Sequence, residues 1–133
     1  MMTDLMRHRG PDGEGYYESP NGLYSAGFRR LSIIDLETGD QPLKNERGNL
    51  VLTGNGEIYN YVELRRKYAN YPFKTKGDME AVLAAYQHEG IGFLKSLNGM
   101  FSLAIYDGEN HSLLLVRDRL GVKPLYYSVG QDG

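Results

Sequence analysis

The segment LTGNGEIYNY, residues 52–61, carries the residue types best suited to chemistry in this chain. Asn55 lies between two glycines, and Gly56 is followed by an acid, Glu57. Glycine permits positive φ and lets a second molecule approach the backbone closely. A backbone N–H beside an asparagine side-chain amide is a pair of donors suited to a developing oxyanion. The alternative, which the sequence alone favours, is an Asn-Gly turn that joins a strand to the next helix.

Two adjacent arginines could bind a carboxylate. Arg29 and Arg30 lie in GFRRLSIID, an extended run in which successive side chains point to opposite faces. One of them should point inward and the other to solvent. A buried guanidinium needs an anion and could bind a carboxylate through two hydrogen bonds. An internal acid, such as Asp35 or Asp12, could equally be that anion.

Asp78 immediately precedes the strongest predicted helix. Aspartate is a preferred N-cap residue, and on spacing alone this interpretation is favoured. Its carboxylate could also bind an ammonium group. An arginine for a carboxylate, acids for an ammonium and a pair of oxyanion donors would together suit a free amino acid whose other end reacts.

Two other polar motifs give weaker signals. HRGPDG, residues 8–13, contains a histidine without a second histidine nearby, so no metal site is predicted. RDRLGVKPLYY, residues 117–127, alternates charges around a glycine and a proline. We predict that it is a salt-bridged turn between two strands.

The elements that must position these residues follow an α+β order. SPNG, residues 19–22, predicts a hairpin turn, and Tyr61, Leu64 and Tyr68 recur at helical spacing before Pro72. A second helix should bury Met79, Val82, Leu83 and Tyr86 and end at Gly90, with a further helical turn near residues 93–97. The predicted strands are residues 16–17, 23–28, 31–34, 49–53, 100–106, 112–116 and 123–127, and SPNG separates the first two. Residues 113–116 are all apolar, so both faces of that strand should be covered.

Composition excludes several classes of protein. The 133 residues contain 15 lysines and arginines against 17 acids, spread along the chain, so no nucleic-acid partner is predicted. The apolar runs are too short to span a membrane, and the start lacks a signal peptide, which predicts a cytoplasmic protein. There are no cysteines, which rules out disulfides, thiolate metal sites and a cysteine nucleophile within these residues.

Six motifs in register resemble one family. They are LMRHRGPDG, RRLSIIDLETGDQPL, NGEIYNYVELR, GDMEAVLAAYQHEG, LNGMFSLAIYD and RDRLGVKPLYY. Together they resemble the class II glutamine amidotransferase domain of asparagine synthetases, from the second half of its first helix onward. The resemblance covers essentially the whole chain. It implies an αββα sandwich of the N-terminal-nucleophile hydrolase type, here incomplete.

The resemblance also implies roles for individual residues. Asn55 and Gly56 match the oxyanion-hole pair that stabilises the tetrahedral intermediate on the glutamine amide. Arg30 matches the arginine that binds the substrate α-carboxylate. Glu57 and Asp78 match residues near the substrate, with Asp78 and the backbone holding the α-ammonium. The intact enzyme would hydrolyse L-glutamine to glutamate and ammonia for asparagine synthesis. No cofactor is expected in this domain, whereas ATP and Mg²⁺ are expected for the synthetase domain.

The chain departs from the family pattern in three ways. The family nucleophile, a cysteine at the mature N-terminus, lies on a strand before the first helix and is not among these residues. We therefore interpret residues 1–133 as a single partial domain, truncated at both ends, without the N-terminal nucleophile strand or the C-terminal synthetase domain. Phe28 also replaces the usual histidine, and Thr53-Gly54 replaces a bulkier pair.

Two competing hypotheses follow from the missing cysteine. The chain could be a non-catalytic glutamine-binding or protein-interaction module, or it could require another chain or a synthetase domain to supply the missing strand. An unpaired strand edge tends to recruit a further chain, so a homo-oligomer is also expected.

Overall fold

Two antiparallel sheets and a set of helices build the part of the chain that the computed structural model describes, residues 2–31 and 39–130. The helices are α1 (Met2–Leu5), α2 (Tyr61–Lys67), α3 (Asp78–Glu89) and a 3₁₀ helix (Gly90–Lys95). The strands are β1 (Gly13–Glu18), β2 (Ser25–Arg30), β3 (Leu43–Lys44), β4 (Leu50–Ile58), β5 (Gly99–Asp107) and β6 (Ser112–Arg117). This composition confirms the predicted α+β class.

The smaller sheet is the hairpin β1–β2, in register from Gly13 opposite Arg30 to Glu18 opposite Ser25. The predicted hairpin is confirmed, and Ser19 closes its turn by accepting the backbone N–H of Gly22 at 2.9 Å. The second strand begins at Ser25 rather than at residue 23. Leu31 lies outside any strand, and residues 32–34 of the next predicted strand lie outside the described residues.

The larger sheet has the order β3-β4-β5-β6. Strand β4 contains residues 55–57, the Asn-Gly-Glu segment, and this changes the interpretation of that segment. The Asn-Gly turn favoured by the sequence is wrong, because β4 continues to Ile58 and pairs Asn55 with Ser102 and Gly56 with Phe101. Gly56 has a φ of 135°, a conformation that side chains rarely allow. A Cβ at this position would also collide with the carbonyl oxygen of Met100. Gly56 therefore keeps the chain within the sheet where another residue would break it.

The helices cover one face of the larger sheet and form the core. Leu52 and Ile105 lie opposite each other on that face and are fully buried, as is Phe93 of the 3₁₀ helix. The predicted faces of α2 and α3 are confirmed, since Leu64, Met79, Val82 and Leu83 belong to this core. Helix α3 ends at Gly90 as predicted, with a φ of 55°.

The hairpin covers part of the opposite face. Tyr24 stacks on Tyr106 of β5, with ring centroids 4.6 Å apart. The prediction that both faces of residues 113–116 are covered is wrong, because Leu113 is 48% exposed and Leu115 is 40% exposed. Strand β6 pairs only with β5 among the described residues, so it is an edge of the sheet. The expected homo-oligomer stays a prediction.

The segment after β6 is irregular. The strand predicted over residues 123–127 is wrong: those residues form no strand, and Tyr126 is 90% exposed. Pro124 has no backbone N–H to give to a ladder. The predicted salt-bridged turn has a different basis, because Arg117 donates to the backbone oxygens of Lys123 (2.9 Å) and Gly121 (2.6 Å).

No helix among the described residues is both long enough and apolar enough to cross a lipid bilayer.

Candidate functional site

A cavity of about 440 Å³ brings together all five residues that the sequence analysis singled out. It lies where the end of β2, one edge of β4 and the start of α3 meet. These five, which form part of the cavity lining, are Arg30, Asn55, Gly56, Glu57 and Asp78. Arg30, the segment 55–57 and Asp78 are far apart along the chain, so only the tertiary fold places them around one space. Within the described residues, no group of three or more histidines and acids could hold a metal ion.

The backbone of Gly56 points toward the cavity rather than toward β5. Phe101, its partner, donates its N–H to Asp118 Oδ2 at 3.2 Å and accepts the Asp118 N–H at 2.8 Å, so its polar groups face β6. In an antiparallel ladder, residues opposite each other either both bond across the pair or both point away from it. The N–H of Gly56 is therefore directed to the outer edge of β4, which lines the cavity.

Side chains accept hydrogen bonds from the neighbouring backbone N–H groups along the same edge of β4. Gly54 donates its N–H to Gln41 Oε1 at 2.6 Å. Ile58 donates its N–H to Asp78 Oδ2 at 2.8 Å. Gly56 lies between them, at the position where the alternation turns an N–H toward the cavity. Beside it, the Asn55 side chain is exposed to solvent.

Arg30 is the inward arginine, as predicted. Its side chain is 10% exposed, and Nη1 lies 2.9 Å from Oδ1 of Asp40. An acid does pair with Arg30, but it is Asp40, which the sequence analysis did not name. The side chain of Asp40 is 78% exposed. Asp12 donates its backbone N–H to the Arg30 oxygen at 3.0 Å, and Asp35 lies outside the described residues.

Arg29 points to the opposite face but not to solvent, so that part of the prediction is wrong. Its side chain is only 11% exposed because α1 lies over it. The guanidinium pairs with Glu14 at 2.7 Å and with Asp4 at 3.2 Å, and it donates to the Thr3 oxygen at 3.1 Å. Arg29 therefore joins α1 to the hairpin.

Asp78 is the first residue of α3 rather than its N-cap, which is Gly77. The N-cap interpretation is therefore wrong in position, and the Asp78 carboxylate also reaches the edge of β4, where it accepts the Ile58 N–H. The pKa of the Asp78 carboxyl lies above its usual value. Burial is the largest cause, and the charge of Glu57 adds to it, whereas backbone hydrogen bonds from Ile58, Asp78 and Met79 oppose it. Two acids this close would both be stabilised by a cation between them.

Two charged side chains that were not predicted from the sequence hold the wall before α3. Glu80 is buried and accepts the backbone N–H groups of Lys74 (2.9 Å) and Thr75 (2.7 Å). Arg65 donates to the backbone oxygens of Thr75 (2.6 Å) and Gly77 (3.1 Å). Thr75 and Gly77 both line the cavity, so these two charged side chains shape it. Acids and arginines in helices are usually exposed to solvent, so nothing in the sequence singled out Glu80 and Arg65.

Asp118 organises the loop after β6, which brings Lys123 to the cavity. Its carboxylate accepts backbone N–H groups from Phe101, Leu120, Val122 and Lys123. The bond from Lys123 is the largest of these effects, and against the opposing effect of burial they lower the pKa of Asp118 to about 2.

Asp118→Asn should lower the melting temperature at pH 7. The melting temperature of this variant should also decrease less steeply than that of the unmodified chain as the pH is lowered. An aspartate in an unfolded chain has a pKa of about 3.9. Because the folded pKa is lower, the stabilisation is complete above about pH 4 and is lost as the pH falls toward about 2. Melting curves from pH 7 to pH 2 would check this, with exposed Glu109→Gln as the control. Parallel pH curves for Asp118→Asn and the unmodified chain would contradict it.

A family model described as a glutamine amidotransferase domain matches residues 1–133. The chain belongs to this family. Over 128 residues, the amidotransferase domain is 48% identical to asparagine synthetase [glutamine-hydrolyzing] 2 of Bacillus subtilis (strain 168), covering 96% of this chain and 17% of that protein. Over 133 residues, it is 47% identical to asparagine synthetase B [glutamine-hydrolyzing] of Escherichia coli (strain K12), covering 99% of this chain and 24% of that protein. The domain thus spans about a fifth of the length of these relatives.

A solved structure has a similar fold. It is the glutamine phosphoribosylpyrophosphate (PRPP) amidotransferase from B. subtilis complexed with ADP and GMP, with a TM-score of 0.60 and 22% identity. The match covers 75% of the amidotransferase domain and 24% of that chain. The likeness concerns the fold alone, and it agrees with the predicted α+β class.

Proposed function

We propose that the cavity binds L-glutamine and that, together with a thiolate nucleophile from outside these 133 residues, the domain hydrolyses it to glutamate and ammonia. The observation that carries the proposal is the meeting of a buried arginine, a buried acid and an outward-facing N–H at one cavity. These three groups are complementary to the carboxylate, the ammonium and the carboxamide of a free amino acid.

Each end of glutamine has a partner in the proposed pose. The α-carboxylate binds the guanidinium of Arg30, and the α-ammonium lies near Asp78 and Glu57. The side-chain carboxamide oxygen then receives hydrogen bonds from the Asn55 side-chain amide and the Gly56 N–H. Asp78 links both ends of the site, because the same carboxylate that faces the ammonium also holds the Ile58 N–H two residues after Gly56.

The chemistry assigned to these residues is stabilisation of negative charge. A thiolate attacks the carboxamide carbon, and the electron pair of the C=O bond moves onto oxygen, where the two donors stabilise it. Collapse of this intermediate breaks the C–N bond, and the nitrogen leaves as ammonia after gaining a proton. Water then hydrolyses the thioester to glutamate and returns the thiol.

The ion pair between Arg30 and Asp40 is compatible with this pose. Asp40 is mostly exposed and can return to water at little cost when a substrate carboxylate competes for Arg30. Asp40 would then be a partner of the buried Arg30 side chain while no substrate is bound.

The wider reaction also belongs to the proposal. Both relatives named above are glutamine-hydrolysing asparagine synthetases, so we propose that the ammonia is used for asparagine synthesis by a synthetase domain. ATP and Mg²⁺ are expected at that domain and no cofactor at this cavity. A cytoplasmic location is expected for such an enzyme.

A second candidate is a glutamine-binding module without catalysis. The absence of cysteine from the 133 residues favours it, because an oxyanion hole needs a nucleophile to act on. Both candidates require glutamine to bind, and only the full-length protein's release of ammonia separates them.

Asp78→Asn should weaken L-glutamine binding by about 10-fold, the low end of the range for a hydrogen bond to a charged group, because Glu57 remains. Asparagine keeps an oxygen for the Ile58 N–H, so the edge of β4 is retained. Isothermal titration calorimetry would measure the change, with exposed Glu63→Gln of α2 as the control. N-acetyl-L-glutamine, which has no ammonium, should lose no affinity on the same substitution. Equal losses for the two ligands would contradict the proposed contact.

A further inference from the structure

Gln41 lies just before β3 begins, and its side chain extends the larger sheet by forming hydrogen bonds with β4. The pairing of Leu43 with Leu52 sets a register that, extended by two residues, places Gln41 opposite Gly54. At that position the Gln41 side-chain amide takes the role of a strand backbone. Its Nε2 donates to the Gly54 oxygen at 3.0 Å, and its Oε1 accepts the Gly54 N–H at 2.6 Å.

The smaller sheet fixes the backbone of Gln41 from the other side. A Cβ added to Gly15 of β1 would collide with the carbonyl oxygen of Gln41, so the two backbones are in direct contact. Gln41 therefore lies between the two sheets at the wall of the cavity. Gln41 would therefore transmit a displacement of the hairpin to β4.

The two anchors on the edge of β4 enclose one N–H. Gln41 holds Gly54, Asp78 holds Ile58, and the N–H of Gly56 lies between the two bonded groups. Gly56 has no side chain to limit its own rotation, and its φ of 135° is reached freely only by glycine. The pairing of β4 with β5 sets the general direction of this N–H, and Gln41 and Asp78 hold the outer edge of β4 on either side of it.

We infer that Gln41 is a positioning residue that directs the Gly56 N–H toward the carboxamide oxygen of glutamine. The inference rests on the proposed function, because it assigns the Gly56 N–H to that oxygen. Gln41 acts through the backbone of β4. Its loss should therefore affect recognition of the carboxamide and leave recognition of the α-carboxylate and α-ammonium unchanged.

The test compares two ligands that differ in the carboxamide. L-glutamine has all three groups, whereas L-norvaline has the same α-carboxylate and α-ammonium on an apolar side chain. Gln41→Met removes both bonds to Gly54, and Gln41→Glu keeps the acceptor but places a carboxylate against the Gly54 oxygen. Each variant should bind L-glutamine about 2- to 12-fold more weakly, the range for one neutral hydrogen bond, with L-norvaline affinity unchanged. Binding would be measured by ligand-observed NMR titration of the 133-residue chain.

Two further variants separate the possible failures. Gln87→Met is the matched control, since Gln87 accepts from Asn45 away from this cavity and should change neither affinity. Arg30→Ala should weaken both ligands. Only a Gln41 variant that still melts cooperatively is compared. If it loses affinity equally for both ligands, or loses none, Gln41 does not have the proposed role. If the unmodified chain binds no glutamine, or Arg30→Ala binds it normally, the proposed function fails and this inference fails with it.

Discussion

Arg30→Ala is expected to weaken L-glutamine binding by about 10- to 150-fold. A hydrogen-bonded pair between a guanidinium and a carboxylate contributes roughly 1.5–3 kcal/mol, and this substitution removes one partner. The Arg30 side chain is 10% exposed, so solvent screens the interaction weakly. Isothermal titration calorimetry on the 133-residue chain would measure the loss.

The control for Arg30→Ala follows from the structure. Arg66 is exposed on α2 and does not line the cavity, so Arg66→Ala should bind glutamine normally. Arg29→Ala is a second comparison, expected to lower stability through the lost contacts with Asp4 and Glu14 while changing glutamine affinity far less. Equal effects of Arg29→Ala and Arg30→Ala on affinity would reject the assignment of Arg30 to the substrate carboxylate.

The 133-residue chain should release no ammonia from glutamine above the uncatalysed background. It has the proposed oxyanion donors but no cysteine, and charge stabilisation without a nucleophile retains only a small part of such catalysis. A coupled assay for glutamate, with boiled protein as the control, would measure this. Turnover that exceeds the boiled control and rises in proportion to protein would show that another residue attacks the carboxamide.

Binding and turnover are therefore expected to separate in this chain. The cavity has the groups that we propose to recognise an amino acid, and these groups lie on elements whose positions are fixed by buried contacts. Glu80 and Arg65 hold the wall before α3, and Gln41 and Asp78 hold the edge of β4. Glutamine binding without ammonia release would be the signature of this arrangement.

The sequence by itself determined helices α2 and α3 and the hairpin, and it supplied five candidate residues that the fold brings to one cavity. Helix α3 was predictable because its apolar spacing and the glycine that ends it are local properties of the chain. The hairpin was predictable from its turn residues for the same reason. The five site residues came from residue types suited to an amino-acid ligand and from a family resemblance, neither of which requires knowledge of the fold.

Tertiary structure decided how those residues are held. Asn55 and Gly56 have the local chemistry of a turn, yet pairing with Ser102 and Phe101, more than forty residues away, keeps them in a strand. Asp78 has the local chemistry of an N-cap, yet the Ile58 N–H at the edge of β4 gives its carboxylate another partner.

The same limit explains the residues that were missed or misplaced. The partner of Arg30, the shielding of Arg29 by α1 and the exposure of β6 all depend on which elements meet in space. Gln41 carries no sign in the sequence that its side chain completes a sheet. Residue type and spacing are local, whereas a partner for a hydrogen bond or an ion pair is supplied by chain folding, so the chemistry of the site could be predicted and its geometry could not.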